Sequence, residues 1–180
     1  MLGPLEMAHH LLAEVIVPGD LVVDATMGQG YDTVFLARLK AEVIAFDVQR
    51  LALDMTADRL EQAQVSAQLI LDGHENVDQY VNQPIKAAIF NLGYLPKSDK
   101  QVITQAETTL DALAKLLELL VKGGRIALMI YYGHAGGLEE RDAVLTFVSG
   151  LPQSVFQVMR YGGINQVNQP PFLVMIEKRL

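Results

Sequence analysis

Asn91-Leu92-Gly93-Tyr94-Leu95-Pro96 follows directly on the apolar run Ala87–Phe90. A buried strand ending in Asn, followed by a small-residue turn with an aromatic, gathers an amide, backbone carbonyls and a flat ring. The oxygens can accept N–H hydrogens and the ring can stack on a planar base. That set suits holding a base together with the lone pair of an amine. Taken alone, Asn91 reads first as a strand-end turn residue.

A second loop lies upstream, Asp24-Ala25-Thr26-Met27-Gly28-Gln29-Gly30, and a helix is predicted after it. Gly28 and Gly30 let the backbone approach a ligand closely, and the helix start offers free N–H groups. Asp24, Asp32 and Thr33 would surround that ligand with acceptors. Asp47 ends the next predicted strand, where a carboxylate can take both hydroxyls of a ribose. Asp72-Gly73-His74-Glu75 ends the third strand, on the side expected for an adenine. A dinucleotide fingerprint requires a third glycine where Thr33 stands, and a phosphate-cradling loop requires Gly-Lys-Ser/Thr, which this chain lacks. Clustered carboxylates repel a pyrophosphate but attract the sulfonium and ammonium of S-adenosylmethionine. Together the two loops point to a methyltransferase acting on nitrogen.

Two more segments are expected on the same edge. Tyr131-Tyr132-Gly133-His134 follows the fifth strand, and the run from Gly162 to Pro171 is rich in amides, with Asn165 and Asn168 among them. Amides suit a base edge, and they equally suit a hairpin connection. His134 admits two readings, general base or turn residue. His9 and His10 fall on the N-terminal helix, one of them expected toward solvent, and scattered histidines without ligand spacing predict no metal site. Lys97 and Lys100 flank the Asn91 loop, and Arg160 and Lys178 lie on the final hairpin. All four are candidates for phosphate contact.

The elements that must position these residues follow from the patterning. Helices are predicted over 5–17, 32–40, 50–64, 103–121 and 138–148, and strands over 21–26, 43–47, 68–71, 87–91, 125–132, 154–161 and 172–178. Leu51, Met55 and Leu60 are expected near one face of the third helix. Alternating strands and helices imply parallel crossovers in a doubly wound sheet. The last two strands have no helical pattern between them and must pair antiparallel. The expectation is a Rossmann-like α/β fold of the class I S-adenosylmethionine-dependent methyltransferases, seven-stranded and mostly parallel, with one antiparallel strand near the C-terminus.

Composition bounds the rest. With 180 residues, half of them apolar, the chain reads as a single domain over 1–180, with the helix of 1–18 packing onto it. A formal charge of −7 argues against a broad basic surface coating nucleic acid, DNA included. There is no cysteine, hence no disulfide or thiolate chemistry. No stretch is long and apolar enough for a membrane span, and the N-terminus lacks a signal-peptide layout. The expected location is cytoplasmic.

At these residues the chain resembles a known family, the small bacterial rRNA methylases. The resemblance is carried by residues 24–33, by Ala45-Phe46-Asp47-Val48-Gln49, by Gly73-His74-Glu75, by Phe90–Pro96 and by Asn165–Pro171, and so spans nearly the whole chain. Characterised relatives are tRNA wobble-uridine methyltransferases that convert 5-aminomethyl-2-thiouridine at the anticodon to its 5-methylaminomethyl form. The resemblance implies that activity here, with S-adenosylmethionine as cofactor, tRNA as partner and a homodimer. It adds Met27, Gln29 and Gln49 to the cofactor residues, although the family commonly has Asn where Gln29 stands. Asn91 and Tyr94, on the predicted ligand edge of the sheet, are the expected catalytic residues. Leu92, Gly93, Tyr132, His134, Asn165 and Asn168 become the substrate contacts. Asn91 Oδ1 and the Leu92 carbonyl would orient the amine, and Tyr94 would stack on the thiouracil. The competing readings are an rRNA or small-amine methyltransferase of the same fold, and a nucleotide-binding module without catalysis.

Overall fold

The computed structural model describes residues 1–92 and 106–180. Gly93, Tyr94, Lys97, Lys100 and the start of the helix expected over 103–121 lie outside the described residues. Seven strands, β1 (Leu21–Asp24), β2 (Glu42–Asp47), β3 (Gln68–Leu71), β4 (Ile85–Leu92), β5 (Leu120–Ile130), β6 (Phe156–Tyr161) and β7 (Phe172–Lys178), form one sheet in the order β3-β2-β1-β4-β5-β7-β6. The pairs β1–β2, β2–β3, β1–β4 and β4–β5 are parallel, and β7 runs antiparallel to both β5 and β6. The reversed strand expected from the short final connection is therefore β7. Strand order reverses between β1 and β4, the crevice where open α/β sheets bind ligands.

Helices cover both faces. On one lie α1 (Pro4–Ala13), α2 (Tyr31–Arg38) and α3 (Arg50–Ala63). There Ala8, Leu12 and Leu36 meet Val22, Ile89, Met129 and Leu173 in one apolar cluster. On the other lie α4 (Ala106–Leu119) and α5 (Gly137–Ser149), whose Leu113, Leu116 and Val144 pack with Val23, Phe90, Leu128 and Ile176. Successive strand residues thus feed opposite layers, as the pleat requires.

α1 starts at Pro4, favoured in a first turn because its missing N–H would have no partner there. It is held to the sheet by Arg125 of β5, which donates to the Leu11 carbonyl at 2.6 Å, to Glu14 at 2.6 Å and to Glu177 of β7 at 2.7 Å.

Three expectations need correcting. α1 ends at Ala13, not at residue 17, because the chain turns through Glu14 before Pro18-Gly19. On α3 the buried positions are Ala52, Thr56 and Leu60, while Leu51 faces solvent; the small residues let the helix approach the loop after β1. Leu120 and Val121, expected in a helix, belong to β5, whose register shifts around Gly123 (φ 79°) and Gly124.

Candidate functional site

β1 delivers Asp24 to the sheet edge fully buried. Thr33 Oγ1 donates to its Oδ2 at 2.7 Å and the Thr26 N–H to its Oδ1 at 3.2 Å. Burial, reinforced by the negative charge of Asp32, pushes the Asp24 pKa up to about 8. The loop then turns through Gly28 (φ 51°) and Gly30 (φ 90°). A Cβ on Gly30 would lie 2.9 Å from Thr56, so α3 as well as backbone conformation demands glycine there. α3 splints this loop from below. Thr56 Oγ1 donates to the Gly28 carbonyl at 3.3 Å, and Arg59 Nε to the Gln29 carbonyl at 2.8 Å. The same Arg59 guanidinium sits 3.8 Å from the centre of the Tyr31 ring.

Asp47, at the end of β2, faces this loop. It accepts the Gly28 N–H at 3.1 Å and the Gln49 N–H at 3.0 Å, and burial raises its pKa. Each oxygen keeps lone-pair capacity for a hydroxyl. His74, in the 3₁₀ turn His74–Gln79, is buried with its ring 5.5 Å from that of Phe90. Its Nδ1–H donates to the Ala25 carbonyl at 3.0 Å, and burial lowers its pKa, so the ring braces the loop as a neutral donor. Glu75 is half-buried beside Gly73.

Asn91 stands across the crevice at the end of β4. Its backbone N–H donates to Thr26 Oγ1 at 2.6 Å, and its side-chain Nδ2 donates to Asp32 Oδ2. The other Asp32 oxygen lies 2.6 Å from His9 Nε2 of α1. Asn91 Oδ1 is buried and has no hydrogen-bond partner among the described residues. A pocket opens at this point, lined by Asn91, Asp32, Thr26, Met27, Gln29, Tyr31, Leu5 and Tyr131. An orphaned acceptor beside a pocket is the place for an incoming donor, since a buried polar group without a partner costs free energy.

The chain matches over residues 43–177 the family described as "Putative rRNA methylase". It belongs to that family. A relative from Arabidopsis thaliana, tRNA (mnm(5)s(2)U34)-methyltransferase, chloroplastic, is 35% identical over 188 residues, covering 96% of this chain and 69% of its own length. Among solved structures, SMU.1697c, "a putative methyltransferase from streptococcus mutans" in complex with SAH, is 54% identical with a TM-score of 0.93, covering 99% of both chains. The rRNA methylase from Streptococcus thermophilus is 49% identical with a TM-score of 0.88, covering 100% of this chain and 99% of that one. This family member is an S-adenosylmethionine-dependent methyltransferase. The donor set agrees with that cofactor: Asp32 and Asp47 bring carboxylates to a cationic ligand, Asp24 joins them once it gives up its proton, and the Gly28-Gln29-Gly30 backbone leaves room for close approach.

Most residues expected at the site are together. Asp24, Met27, Gly28, Gln29, Gly30, Asp32, Thr33, Asp47 and Gln49 surround the crevice, with Asn91 opposite. Two substrate expectations change. The Leu92 carbonyl accepts the Tyr131 N–H at 3.3 Å and its side chain is fully buried, so only the second lone pair of that carbonyl is left for a substrate. Tyr132 turns to the α4–α5 layer, packing on Phe172 with ring centres 5.9 Å apart, and it is Tyr131 that lines the pocket.

His134 sits in the turn before α5, its carbonyl accepting the Gly137 N–H at 3.0 Å and its Nε2 buried without a partner among the described residues. Asn165 and Asn168 are exposed on the β6–β7 loop, which touches the β5–α5 turn where Gln169 meets Gly133. Sequence reading did not assign His9, Leu5, Tyr31, Arg59 or Tyr131 to the site. The spacing of Leu5 and His9, four apart on one helix, was the available signal for two of them.

Proposed function

We propose that this methyltransferase acts on the 5-aminomethyl group of 2-thiouridine at the tRNA wobble position, giving the 5-methylaminomethyl form. The observation that carries the reading is Asn91 Oδ1, a buried acceptor without a partner among the described residues, on a side chain that lines the pocket beside the donor loop. The name of the Arabidopsis relative supports the same nucleoside.

Bound S-adenosylmethionine supplies an electrophilic methyl. Its ribose hydroxyls would fall to Asp47, and its cationic centres to the field of Asp24 and Asp32. The protein's own part is alignment. Asn91 Oδ1 accepts one amine hydrogen, which turns the nitrogen lone pair toward the donor side of the crevice. Nucleophilic attack by a neutral amine needs orientation more than acid–base groups. Tyr131 and Leu5 shield the pocket wall from water. The amides of Asn165 and Asn168 reach the nucleotide from the exposed β6–β7 loop, which the antiparallel run of β7 brings to the carboxyl edge of β4 and β5. Tyr94, beyond the described residues, keeps its sequence-based role as the stacking partner.

An rRNA acceptor is the second reading, favoured by the family's description. Nucleoside mass spectrometry of total tRNA and rRNA from cells with and without the protein separates the two. The expected result is loss of 5-methylaminomethyl-2-thiouridine and accumulation of its unmethylated amine in tRNA; a change confined to rRNA would overturn the proposal. The reading includes a homodimer, for which Met159, Ile164 and Val167 offer exposed apolar area. Light scattering that gives a monomer at concentrations on the order of tens of micromolar would remove that part.

A further inference from the structure

We propose that His9, on the N-terminal helix, is a positioning residue of the acceptor site: through Asp32 it sets which way the Asn91 amide faces. This rests on the amine-acceptor reading of the Asn91 pocket. An amide side chain is nearly symmetric in shape, so packing alone does not choose between its oxygen and its NH2. Here Asp32 chooses. Its carboxylate only accepts, so it holds Asn91 Nδ2 and leaves Oδ1 as the buried atom without a partner among the described residues.

The choice matters chemically. Oδ1 toward the pocket accepts an amine N–H and leaves the lone pair free. In the flipped amide, NH2 would donate to that lone pair and block it.

Asp32 is in turn fixed from α1. His9 Nε2 lies 2.6 Å from Asp32 Oδ1, and opposite a carboxylate that nitrogen must carry the hydrogen. The His9 ring lies flat on Phe35, with centroids 3.9 Å apart and planes 4° from parallel, so it has little freedom to turn away. Leu5, one turn earlier on α1, lines the pocket itself. Phe35, His9, Asp32 and Asn91 therefore form one line from the surface of α2 to the acceptor atom. None of the first three needs to touch substrate.

Two variants and a spectroscopic readout test this. His9→Phe keeps the stack on Phe35 and removes the donor, whereas His9→Gln can restore an N–H toward Asp32. In steady-state methylation of hypomodified tRNA, His9→Phe should lower kcat roughly tenfold, the cost of a misaligned acceptor. KM for tRNA and S-adenosylmethionine affinity by calorimetry should be unchanged, and His9→Gln should recover most of the rate. Unchanged kcat in His9→Phe overturns the proposal, as does loss of cofactor affinity in parallel with kcat.

A second measurement needs no RNA. With S-adenosylmethionine bound, 15N NMR should find the His9 ring with its hydrogen on Nε2, and the Asn91 amide signals should move in His9→Phe. An Nδ1–H tautomer, or an Asn91 amide blind to the substitution, overturns the positioning role. Wild-type protein that leaves hypomodified tRNA unmethylated while the NMR result holds overturns the tRNA reading and leaves the positioning role standing.

Discussion

Asp47 and Asn91 each close a parallel strand at the same edge of the sheet, yet their surroundings differ. Around Asp47 the polar groups are paired: both of its oxygens accept backbone N–H groups, Thr56 and Arg59 tie down two carbonyls of the facing loop, and His74 ties a third. On the Asn91 side two buried side-chain atoms, Asn91 Oδ1 and His134 Nε2, have no partner among the described residues, and the β6–β7 loop is exposed from Gly162 to Gln169. The donor half is preorganised by contacts within the chain. On the proposed function, the Asn91 side is the acceptor half and keeps hydrogen-bonding capacity open for a molecule that comes from outside. A paired site is rigid and tolerant of small losses, while an orphaned acceptor concentrates its contribution in one atom.

The sharpest way to break that contrast is Asn91→Ala. Removing the open acceptor should lower turnover by roughly 10²-fold or more, because misplacing reacting groups by about an ångström costs that much. Donor affinity, measured by calorimetry, should stay near the wild-type value. Equal losses in both would mean that the halves are one structure. Asp47→Ala makes the reciprocal test. Loss of charge-assisted bonds to the ribose should weaken S-adenosylmethionine by about 2–3 kcal/mol. Turnover at saturating cofactor should fall much less.

Asp24 extends the comparison to pH. Its carboxyl titrates at about 8 in the fold against an ordinary value of 3.8, so between those values the native state holds a proton that the unfolded chain has lost. The unliganded protein therefore loses stability as pH rises through that window. Cofactor binding has the opposite sign, because a cationic ligand favours the ionised carboxylate. Affinity for S-adenosylmethionine should rise between pH 6 and 8 by up to about tenfold per unit, then level off. Asp24→Asn should flatten this profile in calorimetry and reduce the fall of melting temperature with pH. Glu140, which burial raises to about 7 in the α4–α5 layer, leaves a residual slope in the melting data and none in the binding data.

The smallest effect is expected on the exposed loop. Asn168 has φ 67°, so Asn168→Gly keeps the backbone while deleting the amide. Combined with Asn165→Ala it should raise KM for tRNA several-fold, about 1 kcal/mol for hydrogen bonds at an exposed rim. An unchanged KM would assign this loop to hairpin geometry alone.

The placement of the glycine loop and of Asp47 was legible in the sequence because these residues lie in short contiguous motifs at strand ends, where Gly28, Gly30 and Asp47 have little choice of position. The sheet was legible for the same reason, down to the reversed β7. The wall of the acceptor pocket was not. Leu5 and His9 reach it only because α1 docks across β5 and β7, a placement set by Arg125 far along the chain. The error between Tyr131 and Tyr132 is one of phase: a period of two assigns neighbours to opposite layers, and only the docked helices say which layer holds the ligand. On α3, the large side chains Leu51 and Met55 suggested the buried face, whereas the need to approach the glycine loop selected Ala52 and Thr56.

The clasp on α1 bears on the order in which the protein can assemble during synthesis. α1 is made early, but Arg125, Glu177 and the apolar residues of β7 that receive it emerge much later, and Tyr161 reaches back to the Leu2 carbonyl across 159 residues. Contacts of such sequence separation close late and slow the search for the native state. Until β7 inserts, α1 has no complete seat and its apolar stripe stays open to other chains, so a chaperone has its longest window of access at this helix. The pocket that Leu5 and Asn91 line is accordingly complete only once that helix is seated.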